Sequence, residues 1–145
     1  MQLTFSVLNL EVPKGWVDRS TATFLMPPKA ADPRLMKVKT EGSPGNVSVS
    51  WVAATSMSAD EYLTTQEPAL KGMGEGYTVV ERTRLDDMGV LQSAFQQGGQ
   101  ALTQIVCSRR VGALQVMVVG TGLAPFAADI REAALNCARS LQPAA

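Results

Sequence analysis

The most regular stretch of the chain is NVSVSWVAAT, residues 46–55, in which apolar and polar positions alternate. A strand turns successive side chains to opposite faces, so Val47, Val49, Trp51 and Ala53 point one way and Ser48, Ser50 and Val52 the other. Weaker alternation predicts strands over residues 3–10 and 20–26, joined by a turn at Pro13 and Gly15 with Trp16 just beyond it. In the second of these, Ala22, Phe24 and Met26 share one face and Thr21, Thr23 and Leu25 the other, before Pro27 and Pro28 end it. A further short strand is predicted over 36–40.

The period then changes. Ser58 followed three residues later by Glu61 is a capping box, which predicts a helix from 59 to about 71, with Pro68 marking a kink or an early end. Four strands are predicted next, over 77–85, 90–97, 101–109 and 113–120. QGGQ suits a three-residue hairpin loop, Gly98-Gly99-Gln100, with Gln97 opposite Ala101. That register sets Leu91 and Phe95 on the face of Ile105 and Cys107, and a turn at Arg110-Val111 adds Leu114, Val116 and Val118. A slip of one residue would turn the whole set over. Pro125 fits a first helical turn, and Phe126, Ile130, Ala133, Ala134, Cys137 and Leu141 recur at helical spacing. The order predicts an α+β fold, an antiparallel β-sheet with helices packed on one face, as a single domain over residues 1–145.

Composition narrows the classes of function. The 145 residues include 13 basic and 13 acidic side chains, so the chain lacks the basic excess that binding nucleic acid requires. The most apolar run, VGALQVMVVGTGLAPFAA, is broken by Gln115, three glycines and Pro125, so it does not read as a membrane span. MQLTFSVLNLEV has neither a basic nor a continuous apolar region and reads as a strand rather than a signal peptide, which makes a cytoplasmic protein the expectation. Cys107 and Cys137 have no metal-ligand spacing and read as a reduced pair.

Candidate chemistry is sparse. There is no histidine, so Ser48, Ser50, Ser56 and Ser58 lack the base a serine nucleophile needs, and no Ser-x-x-Lys arrangement replaces it. GMGEGY precedes a strand instead of opening a helix. VGTGLAP has Pro125 where a dinucleotide fingerprint has its third glycine, so Gly120 and Gly122 read as a flexible strand-to-helix turn. Asp86-Asp87 reads as a solvated turn, and Asp60-Glu61 as the acidic first turn of a helix. No enzyme, cofactor or metal site is expected.

The informative feature is the opposite face of the sheet. The register above gives it Gln92, Ala94, Gln96, Leu102, Gln104 and Val106, then Gln115, Met117 and Val119, with Thr21, Thr23 and Leu25 extending it. It mixes amides and hydroxyls with aliphatics and carries no charge until the strands end. Two readings fit: a wet face of an antiparallel sheet, or a binding surface for something apolar.

The stretch LEVPKGWVDRSTATFLMPP, with its Trp16–Asp18–Ser20 signature, resembles the start of the DcrB-related family. NVSVSWV, the capped helix, the long meander and a last helix ending ARSLQ agree in order, so the resemblance runs over nearly the whole chain. It implies a PsbP-like sandwich, with Trp16 and Phe24 packing the first hairpin and Asp18 and Ser20 fixing its turn. A member without a lipoprotein signal looks like the Eag chaperones of bacterial type VI secretion. These are implied to be cytoplasmic homodimers, in Gram-negative bacteria, that hold the hydrophobic N-terminal transmembrane helices of Rhs- or PAAR-type effectors. The implied client groove uses the second strand and the mixed face: Thr21, Thr23, Leu25 and Gln104, with the other residues of that face around them. Thr21 and Thr23 depart from the larger aliphatics expected there. The alternative is a non-catalytic scaffold, immunity or assembly protein docking on a folded partner.

Overall fold

The computed structural model describes residues 21–25, 44–54, 56–72 and 74–143. The strands expected over 3–10 and 36–40, and the Trp16–Asp18–Ser20 signature, lie outside them. The described elements are β1 (Thr21–Leu25), β2 (Gly45–Ala53), α1 (Ala59–Lys71), β3 (Glu75–Leu85), β4 (Met88–Gln97), β5 (Gln100–Val111), β6 (Leu114–Leu123), a short 3-10 turn at Ala124–Phe126 and α2 (Ala127–Ser140). The strands form one antiparallel sheet in the order β1-β2-β6-β5-β4-β3. The expected α+β class is the one observed.

Local chemistry accounts for the boundaries. Ser58 accepts from the Glu61 backbone N–H, and the Glu61 carboxylate accepts from the Ser58 N–H at 2.9 Å, so the predicted capping box starts α1. The helix runs on through Pro68 to Lys71 rather than stopping early. Pro125 lies in the 3-10 turn that leads into α2.

The hairpins correct the expected register. Gln97 pairs with Gln100, leaving a two-residue turn in which Gly98 (φ 58°) and Gly99 (φ 76°) both adopt the left-handed region. Consecutive residues of positive φ are what a type I′ turn demands, and its twist suits the flanking strands better than a longer loop. The next turn falls at Gly112-Ala113 instead of Arg110-Val111, with Val111 opposite Leu114 and Gly112 at φ 58°. Leu91 therefore faces Val106, and it is Val90 that faces Cys107. Leu91 and Phe95 move to the face opposite Ile105 and Cys107, while Val116 and Val118 remain with those two as expected.

This one-residue shift changes the layering. Val49, Val90, Ile105, Cys107 and Val118 pack with Ile130, Ala134 and Ala138 of α2. Leu91, Val106 and Met117 pack with Leu63 and Leu70 of α1. Val90 and Leu91 are neighbours in β4, so the two helices lie on opposite faces. The expectation that both helices share one face is corrected: the sheet is the middle of three layers. Two apolar faces of a sheet each need a cover, and one amphipathic helix supplies each. The contact stripe of α2 is also turned slightly from the expected one, since Leu135 and Ala138 are buried while Ala133 is exposed.

Gly120 and Gly122 are not a flexible turn. They lie within β6, directly under α2. A Cβ at Gly122 would stand 2.5 Å from both Ile130 Cδ1 and the Pro44 carbonyl oxygen, and one at Gly120 2.8 Å from Ile130 Cγ2. Their missing side chains let Ile130 descend onto the strand. Gly122→Ala should destabilise the protein by about 1–3 kcal/mol in urea unfolding, because the carbonyl on one side of the new methyl cannot rotate away. A neutral substitution would contradict this close packing.

Candidate functional site

The register divides the residues of the predicted mixed face between two surfaces. Gln104, Val106, Gln115, Met117 and Val119 share the face on which α1 packs. Thr23 joins them through β2, its hydroxyl 3.1 Å from that of Ser48, which pairs with Val119. Thr21 and Leu25 pair with Ser50 and Asn46 in the same ladder. Gln92, Ala94 and Gln96 leave this group for the α2 side, where Gln92 accepts from Arg131 of α2 at 2.8 Å. Leu102 sits at the end of the sheet and packs against the α2-side core. The single open face expected from the sequence is thus two surfaces.

On the α1 side the face has two halves. α1 packs over β4 and β5. There Ser93, Gln104 and Ser108 are at most 1% exposed, as is Gln115 on β6, so the predicted site residues Gln104, Val106 and Gln115 are buried rather than open. The Gln115 amide donates to Ser108 Oγ at 2.9 Å and to the Arg109 carbonyl at 3.3 Å, and the Gln104 amide donates to Thr121 Oγ1 at 3.4 Å. Gln115 Oε1 and the Tyr77 hydroxyl are buried with no hydrogen-bond partner among the described residues. Each such group costs about 1–3 kcal/mol, which an all-apolar interface would avoid. Over β6, β2 and β1 no described helix covers the face. Val119, Ser48 and Ser50 are half-buried there, and Met117 lies at the border with α1.

The two helices are fastened differently. Arg109 donates to the carbonyls of Ala138 and Leu141 at 2.9 Å each and pairs with Asp87, tying the end of α2 to the β3–β4 turn. Asp86-Asp87 is accordingly a turn whose carboxylates are engaged, Asp86 with Arg139 and Asp87 with Arg109. α1 buries Leu63 and Leu70, packs Tyr62 half-buried beside them, and is held to β3 by the ion pairs Glu67–Arg82 and Asp60–Arg84.

Cys107 and Cys137 are free thiols; burial pushes Cys107 up to about 12 and raises Cys137 as well, so both hold their protons. Among the described residues no three acidic or cysteine side chains converge as a metal site would require. No described helix is long and apolar enough to cross a membrane. A depression of about 460 Å³ lies on the α2 side, between Glu75, Ala94, Gln96, Ala101 and Ala124. Phe95 and Leu102 also line it, and Glu75 and Gln96 are its charged and amide side chains.

No protein-family profile matches the chain, and no curated protein matches it. Among solved structures it is similar to PA94 of Pseudomonas aeruginosa, a protein of unknown function, with a TM-score of 0.69 and 16% identity over 99% of this chain and 96% of that one. LpqN of Mycobacterium tuberculosis, involved in cell envelope biogenesis, is matched at a TM-score of 0.47 and 12% identity over 83% of this chain and 80% of its own. The first likeness shows a shared fold.

The hydrogen bond from Arg82 holds the Glu67 carboxyl below its ordinary 4.5, against an opposing effect of burial, and the charges of Arg82 and Lys71 lower it further. A lowered carboxylate contributes stability that is full above its unfolded pKa and is lost as pH falls through its folded one. Glu67→Gln should therefore lower Tm at neutral pH, and the difference from wild type should close as pH falls below about 4. A difference that persists in acid would show that the ion pair is not its source.

Proposed function

We propose that the protein is a non-catalytic chaperone that shields a hydrophobic helix, and that its client is the N-terminal transmembrane segment of a type VI secretion effector. The observation that carries this reading is the α1-side face. Over β6, β2 and β1 its described residues carry no charge, interleave aliphatic side chains with amides and hydroxyls, and have no described helix above them, while the adjoining β4 and β5 already seat one amphipathic helix. A transmembrane helix in water presents about 20 apolar residues that need such a cover. Ser48, Ser50 and Thr23 keep the empty half-face wettable and can bond small polar groups of the client. The resemblance to the Eag chaperones supplies the secretion setting, the cytoplasmic location and the homodimer that belong to this proposal.

Substitutions that keep the fold can test it. Gln104 is unsuitable, because a glutamate at a fully buried position would disturb the sheet itself. Val119→Glu places a charge on the half-exposed part of the face, and Ala94→Glu places one on the α2 side. Co-expression with a tagged hydrophobic effector segment should recover a soluble complex with wild type and Ala94→Glu. Val119→Glu should lose at least tenfold in recovery at an unchanged Tm. Equal recovery by both variants would remove the α1-side face from the account, and recovery that is indifferent to the hydrophobic segment would favour a scaffold docking on a folded partner.

A further inference from the structure

The residues that would make the best helix seat are the ones a client cannot reach. Gln104, Val106 and Leu91 are essentially inaccessible on the face that α1 covers. We infer that α1 is a resident helix standing in for the client, and that it lifts from β4 and β5 to extend the groove across the sheet. This rests on the helix-shielding reading and adds to it a step that controls access.

Three observations carry the inference. The layer on this face is unlike a permanent core: it buries Ser93, Ser108 and Gln115 along with Leu91 and Val106, and leaves Gln115 Oε1 and the Tyr77 hydroxyl without partners among the described residues. On the α2 face the facing side chains are Val90, Ile105, Cys107, Val116 and Val118, with Thr103 the buried polar residue there. A seat that must exchange one helix for another tolerates spare acceptors, because each occupant can offer donors of its own.

The hold on α1 is also slight. Two buried leucines, the half-buried Tyr62 and ion pairs with exposed arginines fasten it, whereas α2 buries four residues of its own and has Arg109 bonded to its last carbonyls. Elements with few buried apolar contacts open at lower free energy than the global transition.

Finally, α1 can leave as a unit. Its N-terminus is capped by its own Ser58–Glu61 pair, so the cap survives separation from the sheet. Its C-terminal side is anchored at Gly74, where a Cβ would strike the Phe95 ring at 2.4 Å. The end that opens is therefore the one at Asp60, which rests on the bare backbone of Gly89.

That contact supplies the test. A Cβ at Gly89 would lie 3.4 Å from Asp60 Cα, close enough for cysteines at the two positions to bridge. The full chain carrying Asp60→Cys and Gly89→Cys, with Cys137→Ser, is compared oxidised and reduced. The probe is a synthetic Leu/Ala helix of about 20 residues flanked by lysines. Backbone hydrogen exchange is followed in wild type. The expected result is that α1 amides exchange at least tenfold faster than those of α2, and that oxidation weakens probe binding at least tenfold with recovery on reduction. Equal binding by the two forms, or α1 amides that exchange only with the whole molecule, would overturn the lifting of α1 and leave the chaperone reading standing. Binding by neither form would overturn both.

Discussion

Two consecutive glycines in the left-handed region, Gly98 and Gly99, fix the rest of this structure. A two-residue turn between β4 and β5 pairs Gln97 with Gln100 and thereby assigns every side chain of β4 to a face. Leu91 goes to α1, and Val90 and Met88 go to α2. A three-residue loop would have turned Leu91 and Phe95 to the side of Ile105 and Cys107, and Val90 to the side of Val106. The three-layer arrangement follows from the turn, and so do the separate characters of the two surfaces.

Those surfaces divide the tasks of a small protein. The α2 side is the stabilising core: fourteen buried residues, glycines at 120 and 122 that let the helix sit close, and an arginine that completes the helix end. The α1 side gives up part of that stabilisation. It buries amides and hydroxyls where aliphatics would hold better, a compromise that the proposed acceptance and release of an apolar helix would require.

Much of this was legible in the residues. The alternation of residues 46–55 placed Val49 and Trp51 on the core face, and the Ser58–Glu61 spacing located the start of α1. The β4–β5 register was not, because QGGQ admits loops of two or three residues and only backbone twist decides between them. Gly120 and Gly122 read as a turn because a packing glycine and a hinge glycine look alike until Ile130 is seen above them. The burial of Gln104 and Gln115 had no direct signal. An indirect one existed: Leu63 and Leu70 share a stripe of α1 that needs a partner, and the apolar face of the sheet was already matched to α2.

The central claim, that the α1-side face takes a hydrophobic helix, can be read from two methionines. Met117 lies in the α1-side cluster and Met88 in the α2-side core. With the methionine methyls isotopically labelled, titration of the intact protein with a soluble hydrophobic helix should shift the Met117 methyl resonance and leave that of Met88 in place. A shift of Met88 alone, or of neither at saturating peptide, would contradict the account.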